Sequence, residues 1–141
     1  MGHSRARGSR AAFICCAGAP EEVEIREAAA RVAACASRML RVVSAFRTPR
    51  TGRSISVRIG VHAGEVLAAV MGRTLPRYQL FGSCMDTAQL MEQTSEPGRV
   101  HMSPAFCTAL RGGGKAELIA DERADGTAFL VMLDRVTRSA V

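Results

Sequence analysis

Few side chains in this sequence stand at a spacing that could support chemistry. Asp86 and Leu90 lie four residues apart behind Gly82, so a helix there carries both on one side. Taken as residues alone, Asp86 is a helix-capping acid and Leu90 a core or interface residue. The five cysteines, Cys15, Cys16, Cys35, Cys84 and Cys107, are odd in number and show neither a zinc spacing nor a disulfide framework. That pattern fits a reducing compartment, with the thiols expected as buried small hydrophobes. The net charge of +6 raises nucleic acid as a partner, so its distribution matters. Arg5, Arg7 and Arg10 charge the first twenty residues, and Arg47, Arg50, Arg53 and Arg58 surround the loop before a strand. With one tyrosine and no tryptophan for base stacking, the reading is no nucleic acid.

The elements that position Asp86 and Leu90 are legible in the alternation around them. Ile55, Val57, Ile59 and Val61 alternate with Ser54, Ser56, Arg58 and Gly60, the period of a strand with one buried face. Glu65 to Met71 is nearly all apolar, which predicts a hairpin about Gly64 and a second strand buried on both faces. A loop over 72–82 follows, then a helix with Ser83 at its N-cap, Asp86 completing a capping box, and Met85, Ala88, Met91 and Ser95 on one face. Pro97-Gly98 ends it.

Upstream, residues 1–10 read as a basic irregular arm and 11–17 as a buried strand. From Glu21 the period lengthens. Ile25, Ala28 or Ala29, Val32, Ala36, Met39, Val43 and Phe46 mark one face of a long amphipathic helix, with Glu22–Arg26 and Glu27–Arg31 as ordered pairs. Downstream, Ser103-Pro104 opens a short helix that Gly112 to Gly114 close. Two apolar runs, 115–121 and 127–133, then meet through Asp125-Gly126 as a hairpin. The order predicts an α/β (α+β) sandwich, a largely antiparallel sheet with helices packed on it. At 141 residues and 48% apolar composition one domain with a sizeable core is expected, over 11–137 with a tail at 138–141. No apolar run approaches the ~18 residues of a membrane span.

The wording VRIGVHAGEVLAAVMGRTLPRYQLFG, followed by MDTAQLMEQTSEPGRVHMSP, resembles the class III nucleotide cyclases, guanylate cyclases most closely. The match runs over about fifty positions in order, far more specific than a lone glycine motif. It implies the ferredoxin-like cyclase fold and a lyase activity, conversion of GTP or ATP to a 3′,5′-cyclic nucleotide and pyrophosphate. It also implies Mg2+ or Mn2+ held by two aspartates, and a second cyclase domain as homo- or heterodimeric partner. The setting it implies is cytoplasmic, or the cytoplasmic part of a membrane protein if the gene is longer.

Carried onto this sequence, the family pattern meets substitutions. The resemblance begins after the segment holding the first metal aspartate, so the N-terminal part of the domain is expected to be missing. Ala11 falls where the second metal aspartate belongs and offers no ligand. Arg7 falls on the base-reading glutamate. Gln79 holds the second base-recognition position, and its amide offers both a donor and an acceptor, compatible with either purine. Asp86 holds the position of the family's asparagine and Leu90 that of its arginine, which places a negative charge and a hydrophobe where phosphate charge develops. The phosphate-binding lysine has no clear counterpart, Arg123 being nearest. Two readings follow: a cyclase-type domain degenerate at its catalytic positions, and a non-catalytic domain that pairs with and regulates an active cyclase.

Overall fold

The computed structural model describes residues 12–131. In chain order it holds α1 (Ile25–Ala45), β1 (Ile59–Val61), β2 (Leu67–Met71), β3 (Arg77–Phe81), α2 (Ser83–Gln93), β4 (Val100–Met102) and α3 (Pro104–Gly112). A single 3-10 turn at Ala116–Leu118 then leads into β5 (Ile119–Ala120) and β6 (Ala128–Leu130). Four strands form one sheet in the order β1-β4-β6-β5, and β2 pairs with β3 in a separate ribbon. β1 runs parallel to β4 and the other pairs are antiparallel. The predicted α+β class, with helices on a largely antiparallel sheet, is the observed one.

Alternation along the strands sends the helices to opposite faces. Val61, Val100 and Met102 join Ala29, Ala33, Ala36 and Leu40 of α1 and Phe106 and Leu110 of α3 in the main core. Gly60 and His101, paired across β1 and β4, point the other way, under α2. Both faces of β4 are therefore covered, and Val100, His101 and Met102 are all buried. α1 can lie close because its buried stripe is three alanines, Ser37 and one leucine. The stripe is rotated from the predicted one, since Ile25 and Phe46 are exposed. The helix also begins at Ile25 and not at Glu21, with Arg26 pairing with Glu24, although Glu27 and Arg31 pair as expected.

Strand pairing corrects several expectations. No hairpin forms about Gly64, because β1 finds its partner forty-one residues on in β4, with Ile59 opposite Val100. The hairpin is β2–β3, turned at Gly72, whose φ of 107° and near contact with the Leu75 carbonyl exclude a side chain. Half of the expected loop over 72–82 is thus strand. β2 is not buried on both faces: Leu67 and Val70 are each 67% exposed. A run of aliphatic residues reads alike whether its cover is the core or an outside surface. The strand expected over 11–17 is absent from residues 12–16, where Phe13 is 82% exposed and no strand pairing is made among the described residues. Residue 11 lies outside the described residues.

Local punctuation fares better. Ser103 caps α3 by accepting from the Phe106 N–H at 3.2 Å, with Pro104 in the first turn. Asp125 accepts from the backbone N–H and the hydroxyl of Thr127 and tightens the turn between β5 and β6. At α2 the N-cap is Gly82, not Ser83, and no side chain caps the helix. Gly82, at φ 122°, turns the chain straight from β3 into the helix, so Asp86 completes no capping box and acts on the helix only through its charge in the first turn. Of the cysteines, Cys107 alone is fully buried; Cys15, Cys16 and Cys35 are exposed, contrary to the expectation for small hydrophobes.

Candidate functional site

The candidate site is the outer surface of α2 and the strand that feeds it. On the inner side α2 is tied to the sheet. Met91 is buried, and the His101 ring lies 3.1 Å from both the Met91 carbonyl and the Thr94 hydroxyl through Nδ1. The Thr94 hydroxyl donates to the Leu90 carbonyl at 2.8 Å, which leaves the His101 Nδ1–H to donate to Met91. His101 itself stacks on Phe129 at 4.9 Å, and the Arg99 guanidinium covers that ring at 3.8 Å. Arg58, just before β1, pairs with Glu92 at 3.0 Å. These ties fix which face of α2 looks outward.

That face carries Asp86 and, one turn on, Leu90. Asp86 is exposed, and Leu90 is 51% exposed, more than a core residue would be. The geometry predicted from the spacing is thus present, with both side chains on one solvent-facing side of one helix. Gln79 sits on β3 opposite Ala69, also exposed. Arg123 lies in the turn after β5, where it pairs with Glu96 at 3.3 Å and leans on Phe129. Ala11 and Arg7 lie outside the described residues. Two shallow recesses, of about 320 and 290 Å3, run along α1, and none of Gln79, Asp86 or Leu90 lines either.

The features that seat α2 were not singled out from sequence. Alternation puts Gly60 on the polar face of its strand, and that face lies beneath α2. A Cβ there would stand 2.0 Å from the Glu92 amide nitrogen. A glycine amid otherwise β-branched residues was the available signal. His62, at the end of β1, hydrogen-bonds through Nδ1 with the Ser103 hydroxyl at 2.7 Å, and burial holds its pKa below the ordinary 6.5.

Residues 8–126 match the family model for the Adenylate and Guanylate cyclase catalytic domain. The chain belongs to that family. Rat guanylate cyclase soluble subunit beta-2 is 41% identical over 103 residues, which is 73% of this chain and 15% of the relative. Among solved structures, the guanylate cyclase domain of RhGC from Catenaria anguillulae in complex with GTP superposes with a TM-score of 0.66 at 30% identity, covering 82% of this chain and 64% of that one. A dimeric guanylyl cyclase domain of the RhoGC fusion protein from Blastocladiella emersonii gives 0.68 at 29% identity, covering 82% and 62%. This cyclase domain therefore spans under two thirds of the solved domains and a small part of the curated relative.

A divalent ion needs several oxygen donors converging. Among the described residues no group of three or more His, Cys, Asp or Glu side chains could hold a metal. Asp86 points outward from the first turn of α2, and Ala11, where the resemblance puts a metal aspartate, lies outside the described residues. No described helix is long and apolar enough to cross a membrane.

Proposed function

We propose that this chain is a guanylate-cyclase-type domain degenerate at its catalytic positions, which acts by pairing with a second cyclase domain and makes no cyclic nucleotide alone. The reading is supported by one observation, that the outward face of α2 bears Asp86 and a half-exposed Leu90; these are the positions onto which the resemblance carries the family's asparagine and arginine. The family reaction is attack of the ribose 3′ oxygen on the α-phosphate of GTP or ATP with pyrophosphate leaving. Charge then grows on phosphate oxygens and must be met by positioned donors. Asp86 adds charge of the wrong sign, and Leu90 supplies no donor. Losing one such donor costs ~3 kcal/mol, about a hundredfold in rate.

Pairing is supported by surface as well as by descent. Leu67, Val70, Met71, Leu75, Tyr78 and Phe81 all stand exposed on the β2–β3 ribbon and its turn, beside α2. Strand alternation puts Leu67, Met71 and Phe81 on one face of the ribbon and Val70 and Tyr78 on the other, so both faces offer exposed apolar side chains to a partner. In the assembly the partner domain would supply the metal carboxylates, with Mg2+ or Mn2+, and Gln79 would face the purine edge. The proposed setting is the cytoplasm, or the cytoplasmic side of a larger membrane protein.

The test has two arms. The purified chain, given GTP or ATP with Mg2+ or Mn2+, should give no cyclic product above a heat-killed control. Sedimentation with a complete cyclase domain should show a complex. Metal-dependent product from the chain alone, or no complex, overturns the reading.

A further inference from the structure

Between Glu27 and Glu65 the chain has no acidic residue and seven arginines, and the structure gathers most of them at one end of the molecule. Arg31 is paired with Glu27 and Arg58 with Glu92. Arg47 donates to the carbonyls of Ser44 and Phe46, closing the end of α1. Arg38 and Arg41, on the outer side of α1, and Arg50 and Arg53, in the turn that follows, have no carboxylate partner among the described residues. That turn is rigid: Arg47 bridges to Ser54, and Thr48 holds Arg53 through backbone and hydroxyl contacts.

Apolar side chains stand among these cations. Val42, between Arg38 and the end of α1, is 63% exposed, Phe46 is 46% exposed and Ile55 is 41% exposed. A recess of about 290 Å3 lies between α1 and residues 54–57, with Ile55 in its lining. Neither Asp86 nor Gln79 belongs to it.

We propose that this end of the molecule, α1 from Arg38 with the turn to Ile55, docks on an anionic phospholipid surface. A bilayer meets both halves of the surface at once, since its phosphates take the unpaired guanidiniums and its acyl boundary takes Val42, Phe46 and Ile55. Arginine stems lie along apolar surface while their heads reach the headgroups. A nucleic acid meets only the charges and would leave Val42 and Ile55 in water. The docking is peripheral and independent of the site on α2.

Co-sedimentation of the full chain with phosphatidylcholine vesicles, with and without phosphatidylserine, tests this. Binding should require phosphatidylserine and weaken as salt is raised. Each guanidinium near the surface contributes about a fivefold change in partitioning, so Arg50→Glu with Arg53→Glu should lower binding at least tenfold. Val42→Ser with Phe46→Ser should lower it at unchanged charge. Binding independent of phosphatidylserine, or undiminished in the Arg50→Glu, Arg53→Glu variant, overturns the proposal. So does retention of duplex DNA in place of vesicles that the serine variant does not alter. Circular dichroism checks each variant's fold, and the salt titration of the unsubstituted chain decides the matter if a variant unfolds.

Discussion

Gly60 lies directly beneath the backbone of Glu92, so close that a Cβ at position 60 would stand 2.0 Å from the Glu92 amide nitrogen and 2.6 Å from the Ala88 carbonyl oxygen. The helix that bears Asp86 and Leu90 rests on β1 at this point, and Arg58 pairs with Glu92 beside it. Gly60→Ala must either push α2 off the sheet or distort β1. Overpacking of this kind costs about 3 kcal/mol or more where the clash is with backbone. Urea denaturation of the variant should show that loss, and a midpoint equal to that of the unsubstituted chain would contradict the packing described.

Acid should weaken the fold through His62. Its folded pKa is depressed below 6.5 by burial, so the folded state binds fewer protons than the unfolded state as pH falls through that region. Stability is then full above about pH 6.5 and declines below it, toward the folded pKa. His62→Gln should flatten this part of the profile, measured as thermal midpoints from pH 7.5 to 5.5. Asp125, whose pKa is lowered by its bonds from Thr127, acts only at more acid pH, below about 3.8, and the two windows separate.

The cap on α3 offers a second local test. Ser103 accepts from the Phe106 N–H and hydrogen-bonds with His62, so Ser103→Ala removes a cap and a buried partner together. The expected loss is about 1 to 2 kcal/mol by thermal or urea unfolding, with a shift in the His62 titration as its signature. An unchanged His62 titration in a folded variant would deny the contact.

If the ribbon is the pairing surface, Val70→Glu with Leu75→Glu should weaken association with a complete cyclase domain at least tenfold while leaving the fold intact. Both side chains are exposed, at 67% and 72%, so the substitution costs the isolated domain little. Sedimentation at several concentrations would measure it, and undiminished association would move the interface elsewhere.

What sequence made legible was local and periodic. Ser103-Pro104, the glycines from Gly112 and the pair Pro97-Gly98 bound α3 and the end of α2 because caps and breakers act on their neighbours alone. The spacing of four put Asp86 and Leu90 on one face because the helix period demands it. Pairing was not legible. Ile59 chooses Val100, forty-one residues away, over the adjacent run from Glu65, and nothing in either run names its partner. Nor does an apolar run declare its cover, so Leu67 and Val70 read as core although they stand in solvent. Gly60 and His101 are illegible for a related reason: each matters only through α2, which packs on them from another part of the chain.

The most direct test of the central claim restores the outward face of α2. Asp86→Asn with Leu90→Arg rebuilds the amide and the guanidinium at their spacing of four, on a side of the helix that the core does not touch. The repaired chain is mixed with a cyclase domain that keeps both metal aspartates but lacks its own asparagine and arginine, and cyclic nucleotide formation is measured. Product is expected from the repaired mixture and none from the unrepaired one. A repaired chain that folds and pairs by sedimentation, yet stays inactive in the mixture, would show that this face of α2 does not line a catalytic cleft.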